Sequence, residues 1–385
     1  MTVLGCLLAL CFAALPPSTA QAAGANSSTP KSGTAAASHY AALAKKAEAA
    51  RVAERTDEAI QLYSELVRLK RDSAENWWYL GTLYYDADRY AEARQAFRHV
   101  AGIKPEMSLA WAMLGLCEFE TKDYDSALVH LRRADQLKIP DQESFHDVAE
   151  YHLALLFTRA GEFEDGIRVV SDLVRRGKDT LQFQEAMGIA ALRRPFLPAE
   201  LPPADRALVL DVGQAVCDSV ARHVEKLDAD VALLLQKYST VPEIHYIAGS
   251  ILLPGDAANA LEQWQAELVV SPRNPRALTS IAGAYFKQHD FAAALPFAER
   301  AVAADAQYYP AHAVLGQVLV DGDVDIQRGV KELERAKELA PWQPQTHFVL
   351  AAAYAKAGRK GDAAKERAEF LRLRGQSEVA VSKPR

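Results

Sequence analysis

The sequence predicts an all-α protein built as a solenoid of repeated two-helix units (α-α repeats), with an irregular helical middle segment. The stretch from Asn76 to Pro105 has the apolar spacing of two amphipathic helices joined by a four-residue turn. Related stretches recur along the chain at a period of about 34 residues. Because a two-helix unit of this size cannot bury its apolar face alone, neighbouring units must stack on one another.

The spacing inside that stretch predicts how its two helices pack. Trp77, Gly81 and Tyr84 fall on one face of the first helix, and Ala93 and Phe97 face them from the second. Gly81 and Ala93 are small, so the two helices can approach closely. We therefore expect close helix–helix packing within each repeat.

The remaining repeats are placed by the same spacing. Their predicted first residues are Tyr40, Ser108, Asp147, Pro242, Pro275, Tyr309 and Pro344. The sequence therefore predicts an N-terminal repeat block over residues 39–180 and a C-terminal repeat block over residues 242–375.

The segment between the blocks, residues 181–241, diverges from the repeat. A candidate first helix, Gln182–Leu192, runs into four prolines between Pro195 and Pro203, and proline removes backbone donors that a helix requires. Residues 204–227 and 229–238 have helical periodicity without the repeat motif. Two interpretations follow: a proline-rich hinge between two partly independent blocks, or replacement helices that carry the array through as one unit.

The two ends of the chain have the composition of processed or unstructured segments. Residues 1–22 are typical of a signal peptide, with an apolar run from Val3 to Leu15 that is too short to span a bilayer. Residues 23–38 are predicted to be a flexible linker, and residues 376–385 a disordered tail. We expect an exported protein, periplasmic or extracellular, with no membrane span after cleavage of the signal.

The charge of the chain bears on nucleic-acid binding, and the spacing of its cysteines bears on disulfide formation. The net charge of -6, with Lys and Arg scattered among the acids, argues against nucleic-acid binding. Cys117 and Cys217 lie a hundred residues apart, too far for a disulfide in a stack where each repeat touches only its neighbours.

The motif itself carries a resemblance to a known family. Its residues are Trp77, Leu80, Gly81, Tyr84, Ala93, Phe97 and Pro105. With this motif, residues 40–180 and 242–375 resemble tetratricopeptide repeat (TPR) proteins, specifically exported bacterial ones. The resemblance implies a right-handed superhelical solenoid whose concave groove, lined by first helices, holds peptides or protein segments.

The resemblance also implies which residues line the groove, namely those one step around each first helix from the packing face. These are Trp78, Thr82, Tyr85, Phe119, Tyr151, Tyr246, Phe286 and Phe348. They are mostly aromatic, whereas the family's chaperone-tail binders carry Lys, Asn and Arg at the matching places. We therefore expect a protein or peptide partner other than a clamped terminal carboxylate.

No hydrolase, metalloprotease, phosphate-loop or dinucleotide motif occurs in the sequence, so we expect no enzymatic activity and no cofactor. The function predicted from these observations is a non-enzymatic interaction scaffold that binds its partner in the groove. The alternative is a structural subunit of a cell-envelope or secretion assembly that uses its convex face and ends.

Two residue sets suggest metal binding, but packing explains each of them better. His245, His312 and His347 occupy the place of Trp77 in their own repeats, and a whole repeat separates the first two, so they cannot share one metal.

The second set, Asp321, Asp323, Asp325 and Glu332, matches carboxylate positions of a calcium loop. Ile326 stands where that loop needs glycine, and a turn between helices also favours Asp as a helix cap. We expect no metal site.

Overall fold

The computed structural model of the protein describes residues 31–140, 145–178 and 180–381. These residues form nineteen α-helices, and no β-strand occurs among them. The chain divides into two compact units, unit 1 up to Pro203 and unit 2 from Ala204. The predicted all-α fold is confirmed.

Unit 1 contains four antiparallel helix pairs and one further helix. The helices are α1 (Lys31–Val52), α2 (Thr56–Leu69), α3 (Ala74–Asp86), α4 (Tyr90–Ile103), α5 (Ser108–Glu120), α6 (Tyr124–Leu137), α7 (His146–Arg159), α8 (Phe163–Arg175) and α9 (Leu181–Ala191). Each helix contacts the next one along the chain.

Unit 2 contains five pairs, of which the last four follow the predicted repeat. The helices are α10 (Arg206–Ala221), α11 (Val224–Tyr238), α12 (Ile244–Leu252), α13 (Ala257–Val270), α14 (Pro275–Lys287), α15 (Phe291–Ala304), α16 (Tyr309–Asp321), α17 (Ile326–Leu339), α18 (Pro344–Lys356) and α19 (Lys360–Val381).

The turn inside most of the repeats has a common construction. The second residue after the first helix takes a left-handed backbone conformation, as at Asp88 (φ 56°), His289 (φ 59°) and Gly358 (φ 78°). Aspartate often then caps the second helix: Asp290 accepts a hydrogen bond from the backbone N–H of Ala293 at 2.9 Å. Local turn chemistry therefore folds each pair back on itself.

Close approach inside the repeats occurs where small residues were predicted to permit it. A Cβ atom added at Gly81 would lie 2.9 Å from the Phe97 ring, and one added at Gly316 would lie 2.8 Å from the carbonyl oxygen of Gly329. Ala93 is fully buried. First and second helices are thus in contact at distances that no larger side chain would allow.

The proline-rich segment ends unit 1. The helix α9 stops at Ala191, and the next helix begins at Arg206; two short 3-10 turns, Pro198–Glu200 and Pro203–Asp205, lie between them. The boundary between the two units falls inside this segment. Whether it acts as a hinge stays a prediction.

The segment is ordered and not fully exposed. Leu197 and Leu201 are buried, and the Glu200 carboxylate accepts hydrogen bonds from Arg159 at 2.7 Å and from the backbone N–H of Leu197 at 2.9 Å. Beyond it, the predicted helix over residues 204–227 breaks at Arg222, whose backbone is left-handed.

Helix extends further at both ends than the predicted linker and tail allowed. The first helix begins at Lys31, inside the predicted linker, because the run Ala35–Ala37 has high helix propensity. Residues 35–39 are exposed, so this extension adds no core. The last helix continues to Val381. The predicted signal peptide (1–22), the first part of the linker (23–30) and the final residues (382–385) lie outside the described residues.

Candidate functional site

The first helix of each repeat is fixed by one residue near its start, which we call the anchor. The anchors are Trp77, Trp111, His245, Leu278, His312 and His347. The indole N–H of Trp77 donates to the carbonyl oxygen of Arg71 at 2.9 Å, and that of Trp111 donates to Pro105 at 2.9 Å. Both acceptors lie six residues before the anchor, so the ring ties the helix to the preceding turn.

The histidine anchors bind in the same way. The Nε2 atom of His312 lies 3.1 Å from the carbonyl oxygen of Ala306, again six residues earlier, and its Nδ1 atom lies 2.7 Å from Glu332. His347 repeats the arrangement with Pro341 and Glu366, and His245 contacts Gln263 at 2.7 Å. Both ring nitrogens of His312 and His347, and the Nδ1 atom of His245, therefore have protein partners, as expected for packing.

The calcium-loop carboxylates likewise serve local structure. Asp325 caps α17 by accepting from the backbone N–H of Arg328 at 2.9 Å. Asp323 pairs with Lys356 at 2.6 Å, and Glu332 is the partner of His312. These groups do not converge on one point, and the capping interpretation is confirmed for Asp325.

One carboxylate and histidine cluster was not predicted. His146, Asp147 and Glu150 at the start of α7 place their ligand atoms within 4.8 Å of one another. Arg176 pairs with both carboxylates, and Lys178 pairs with Asp147 at 2.9 Å. Because two cations already neutralise the acids, the cluster is an ion-pair network that ties α7 to the end of α8.

The predicted groove residues all lie on one face of the first helices. Seven of them stand one, five or eight residues after the anchor, and Tyr151 stands at the matching place in α7, three residues before the small residue Ala154. We call this face the inner stripe. Residues with this spacing share a helix face because they are separated by about one or two turns. The stripe is Trp78, Thr82 and Tyr85 in α3, and Phe348, Ala352 and Ala355 in α18.

In unit 1 the inner stripe is closed. Trp78 is 0% exposed, with its ring edge-on to Phe97 at 5.4 Å, and Thr82 and Tyr151 are also buried. The prediction that these three line an open groove is therefore wrong, because their side chains belong to the core. Tyr85 and Phe119 are half-buried at the ends of their helices.

Contacts between neighbouring first helices close this stripe. Phe119 of α5 lies 4.5 Å from the His152 ring of α7, and Tyr151 of α7 lies 5.7 Å from Phe183 of α9, both measured between ring centroids. Burial lowers the pKa of His152. Large side chains thus interlock where a ligand would otherwise lie.

At the end of α3, the half-buried Tyr85 lies among acidic groups. Its ring is edge-on to Tyr90 at 5.3 Å, and Tyr90 donates to Asp88 at 2.6 Å. Burial raises the pKa of Asp86 to about 6 and also raises the pKa of Glu120. The surroundings of Tyr85 in unit 1 are therefore polar.

In unit 2 the inner stripe is open. Its residues are half-buried or exposed except Thr279 and Val320, and they are Tyr246, Ser250 and Leu253 in α12, Thr279, Gly283 and Phe286 in α14, Ala313, Gln317 and Val320 in α16, and Phe348, Ala352 and Ala355 in α18. The helices α14 and α16 are in contact, as are α16 and α18. The stripe is therefore continuous over these three helices.

The predicted residues Phe286 and Phe348 lie on this open surface, with Phe348 51% exposed. Tyr246 is half-buried and already covered by the Arg276 guanidinium at 4.3 Å from the ring centroid, and Arg276 pairs with Glu243. The aromatic criterion missed the small members Gly283, Ala313 and Ala352. Their register with Phe286 and Phe348 could have identified them.

Two parts of the chain match family models. Residues 52–134 match the family described as anaphase-promoting complex, cyclosome, subunit 3, and residues 255–309 match a tetratricopeptide repeat family. No curated protein sequence matches the chain significantly.

Solved structures of two repeat proteins are similar to the chain. MamA (residues 41 to the end) from Desulfovibrio magneticus RS-1 is 21% identical with a TM-score of 0.36, over 43% of this chain and 96% of that one. Yeast Tom70 is 12% identical with a TM-score of 0.34, over 87% of this chain and 92% of that one.

The matched segments lie in both units, and each contains the helix pairs and anchors described above. The chain therefore contains tetratricopeptide-type repeats. Its repeats make it a protein–protein interaction scaffold, and scaffold families of this kind are typically non-enzymatic. None of the helices in the described ranges combines the length and apolar character needed to cross a membrane.

Proposed function

We propose that the inner stripe of unit 2 binds a peptide or an extended protein segment. The observation that supports this most directly is the space at Gly283. Apart from Gly283 itself, its two chain neighbours and the nearby backbone of its own helix, no heavy atom lies within 4 Å of the point where its Cβ would be. Gly283 nevertheless sits mid-helix between the half-buried Phe286 and the buried Thr279. Small residues at this place leave room for a ligand side chain.

The chemistry of the stripe defines the ligand class. None of the twelve stripe residues in unit 2 is charged: Phe286 and Phe348 offer aromatic surface, Ala313 and Ala352 offer small apolar surface, and Gln317 offers an amide. Aromatic surface binds apolar side chains, and an amide can pair with the backbone of an extended chain. We therefore expect a ligand segment with apolar side chains and few charges.

A peptide library tests the proposal. Peptides displayed on phage are selected on the full-length protein, and their affinities are measured by fluorescence polarisation. Replacing Gly283→Leu fills the space, so we expect the selected peptides to lose at least about tenfold in affinity. Gly361→Leu is the matched control, since Gly361 is also helical with no neighbour within 4 Å of its Cβ position.

The alternative function, a structural subunit that associates through its convex face and ends, predicts a different result. Selected peptides would then bind wild type and Gly283→Leu equally, and the groove proposal would be wrong.

We further propose that the protein acts outside the cytoplasm, after removal of residues 1–22. The support is the sequence of those residues, an apolar run followed by small residues. N-terminal sequencing of the protein from the host's cell envelope tests it. A mature chain that begins at Ala23 is expected, and one that begins at Met1 or Thr2 contradicts it.

A further inference from the structure

Unit 2 ends in an apolar cleft between its last two helices. The cleft has a volume of about 360 Å³ and is lined by Phe348, Ala351 and Ala352 of α18 and by Arg367, Phe370 and Leu371 of α19. Leu371 is 64% exposed and Phe370 is half-buried. Apolar side chains are thus exposed together on the last helix of unit 2.

The earlier repeats show what this cleft corresponds to. In each second helix, the residue seven places after the small residue of the motif faces the following repeat; in α19 that residue is Phe370. Six other second helices carry an apolar residue there, and all six are 0% exposed: Leu66, Val100, Ala134, Leu173, Ala301 and Ala336. A place that is buried in every other repeat is open in the last one.

The first helix of the next repeat is what covers this place elsewhere. Ala301 of α15 shares a hydrophobic cluster with Ala311 of α16, and Ala298 shares one with Leu315 and Leu319 of the same helix. The cleft therefore has the shape of the seat that a first helix occupies throughout the array. An amphipathic helix offers the apolar face that would bury these side chains.

Arg367 defines the charge of the occupant. It stands four residues after Ala363, the small residue of its repeat. The other repeats carry a buried apolar residue at this position, for example Phe97, Leu131 and Leu333. Among residues whose side chains the structure describes, Arg367 has no ion-pair or hydrogen-bond partner, and it is exposed at the wall of the cleft. A cation in this position favours a helix with an acidic residue on the facing side.

We infer that this end cleft docks an amphipathic helix from a partner protein, and that the helix carries an acidic side chain against Arg367. The chain's own first helix is a poor match for it. The exposed side of α1 carries Lys45 and Lys46, which have the same charge as Arg367. This inference goes beyond the proposed groove. The cleft shares Phe348 and Ala352 with the inner stripe, but Leu371 and Arg367, which the test changes, lie outside the stripe.

The test uses α16, a first helix that packs against the equivalent surface of the preceding repeat. A fluorescent peptide with the sequence of α16, Tyr309–Asp321, is stapled to keep it helical and carries Leu319→Glu, because Leu319 clusters with the residue equivalent to Arg367. Its affinity for the full-length protein is measured by fluorescence anisotropy. We expect Leu371→Asp and Arg367→Glu each to weaken binding at least about tenfold.

Three controls keep the result specific. Val269→Asp introduces the same charge at an apolar side chain of α13 that is 84% exposed, and it should leave binding unchanged. A second peptide with Leu319→Lys should bind Arg367→Glu better than wild type, because the charges are then exchanged. Gly283→Leu should bind the peptide as wild type does, which separates this cleft from the groove.

Three outcomes would overturn the inference. The first is that the peptide does not bind, and the second is that it binds Leu371→Asp as tightly as wild type. The third is a dimer of the wild-type protein in sedimentation velocity that Leu371→Asp dissociates, since the occupant would then be a second copy of this chain.

Discussion

The inner stripe is closed in unit 1 and open in unit 2, although both units use the same repeat. At the residue after the anchor, Trp78 is 0% exposed whereas Phe348 is 51% exposed. At the next stripe position, five residues after the anchor, Leu116 of α5 is 1% exposed, whereas Gly283 of α14 has free space around it. One repeat motif therefore supports two different surfaces.

The difference arises from residues that the motif leaves free. The motif specifies the packing of first against second helices, as at Gly81 and Phe97. It does not specify the stripe, where unit 1 has large side chains that contact neighbouring first helices and unit 2 has mostly small ones. Unit 1 gains apolar burial by filling its stripe, whereas unit 2 leaves apolar side chains such as Phe348 exposed on its stripe.

The largest expected effect contrasts the two units at the same repeat position. Trp78→Ala should reduce the free energy of unfolding by about 3–5 kcal/mol, because it removes a fully buried ring and its contact with Phe97. Phe348→Ala should reduce it by about 1 kcal/mol or less. Urea denaturation followed by circular dichroism measures both. Equal losses would show that the two stripes are equally buried.

Lowering the pH should destabilise unit 2 through its first helix pair, α10 and α11, which lacks the repeat motif. Burial alone would raise the pKa of Asp218, but hydrogen bonds from Gln214, His223 and Lys226 outweigh it and hold the pKa below its usual value. A lowered pKa stabilises the folded state above the unfolded value of about 4, and this stabilisation is lost as pH falls through the folded pKa.

Asp218→Asn should therefore cost about 1.5–3 kcal/mol at pH 7. The difference between wild type and variant should shrink as the pH falls below about 4, because the carboxylate is then protonated first in the unfolded state and, at its lower pKa, in the folded state. Urea denaturation at several pH values measures it. A difference that stays constant down to pH 2 would contradict the assignment.

Two glycines sharpen the comparison at smaller scale. Gly81→Ala should destabilise the protein by about 1–3 kcal/mol, because the added Cβ would meet the buried Phe97 ring at 2.9 Å. Gly283→Ala should stabilise it by about 0.5–1 kcal/mol, since alanine favours helix and its Cβ meets nothing. Thermal unfolding of the two variants checks the opposite signs. Destabilisation by Gly283→Ala would mean that the unit 2 stripe is filled.

The smallest effect is kinetic and concerns the segment between the units. Residues 202–204 are exposed, and Glu200 holds the turn before them through Arg159 and Leu197. Glu200→Ala should speed limited proteolysis there and release two folded halves, which circular dichroism of the fragments would show. Uniform degradation without stable fragments would instead favour one cooperative array.

Sequence pattern alone predicted the helix pairs and the break between them. Trp77, Gly81 and Phe97 define a helix pair through their spacing, and prolines stop α9 because they lack a backbone donor. These are local properties of the chain. The roles of His312 and Asp325 in packing and capping followed from the same local reasoning.

Only the tertiary structure decided which stripe residues are accessible. Periodicity places Trp78 and Phe348 on the same helix face, but the exposure of a face depends on what neighbouring helices place against it. One sign was present in the sequence: α5 is apolar almost all around, which is typical of a helix buried on every side. The open cleft at Phe370 and Leu371 was hidden for the same reason, since an amphipathic pattern shows that a face needs covering but not whether the chain covers it.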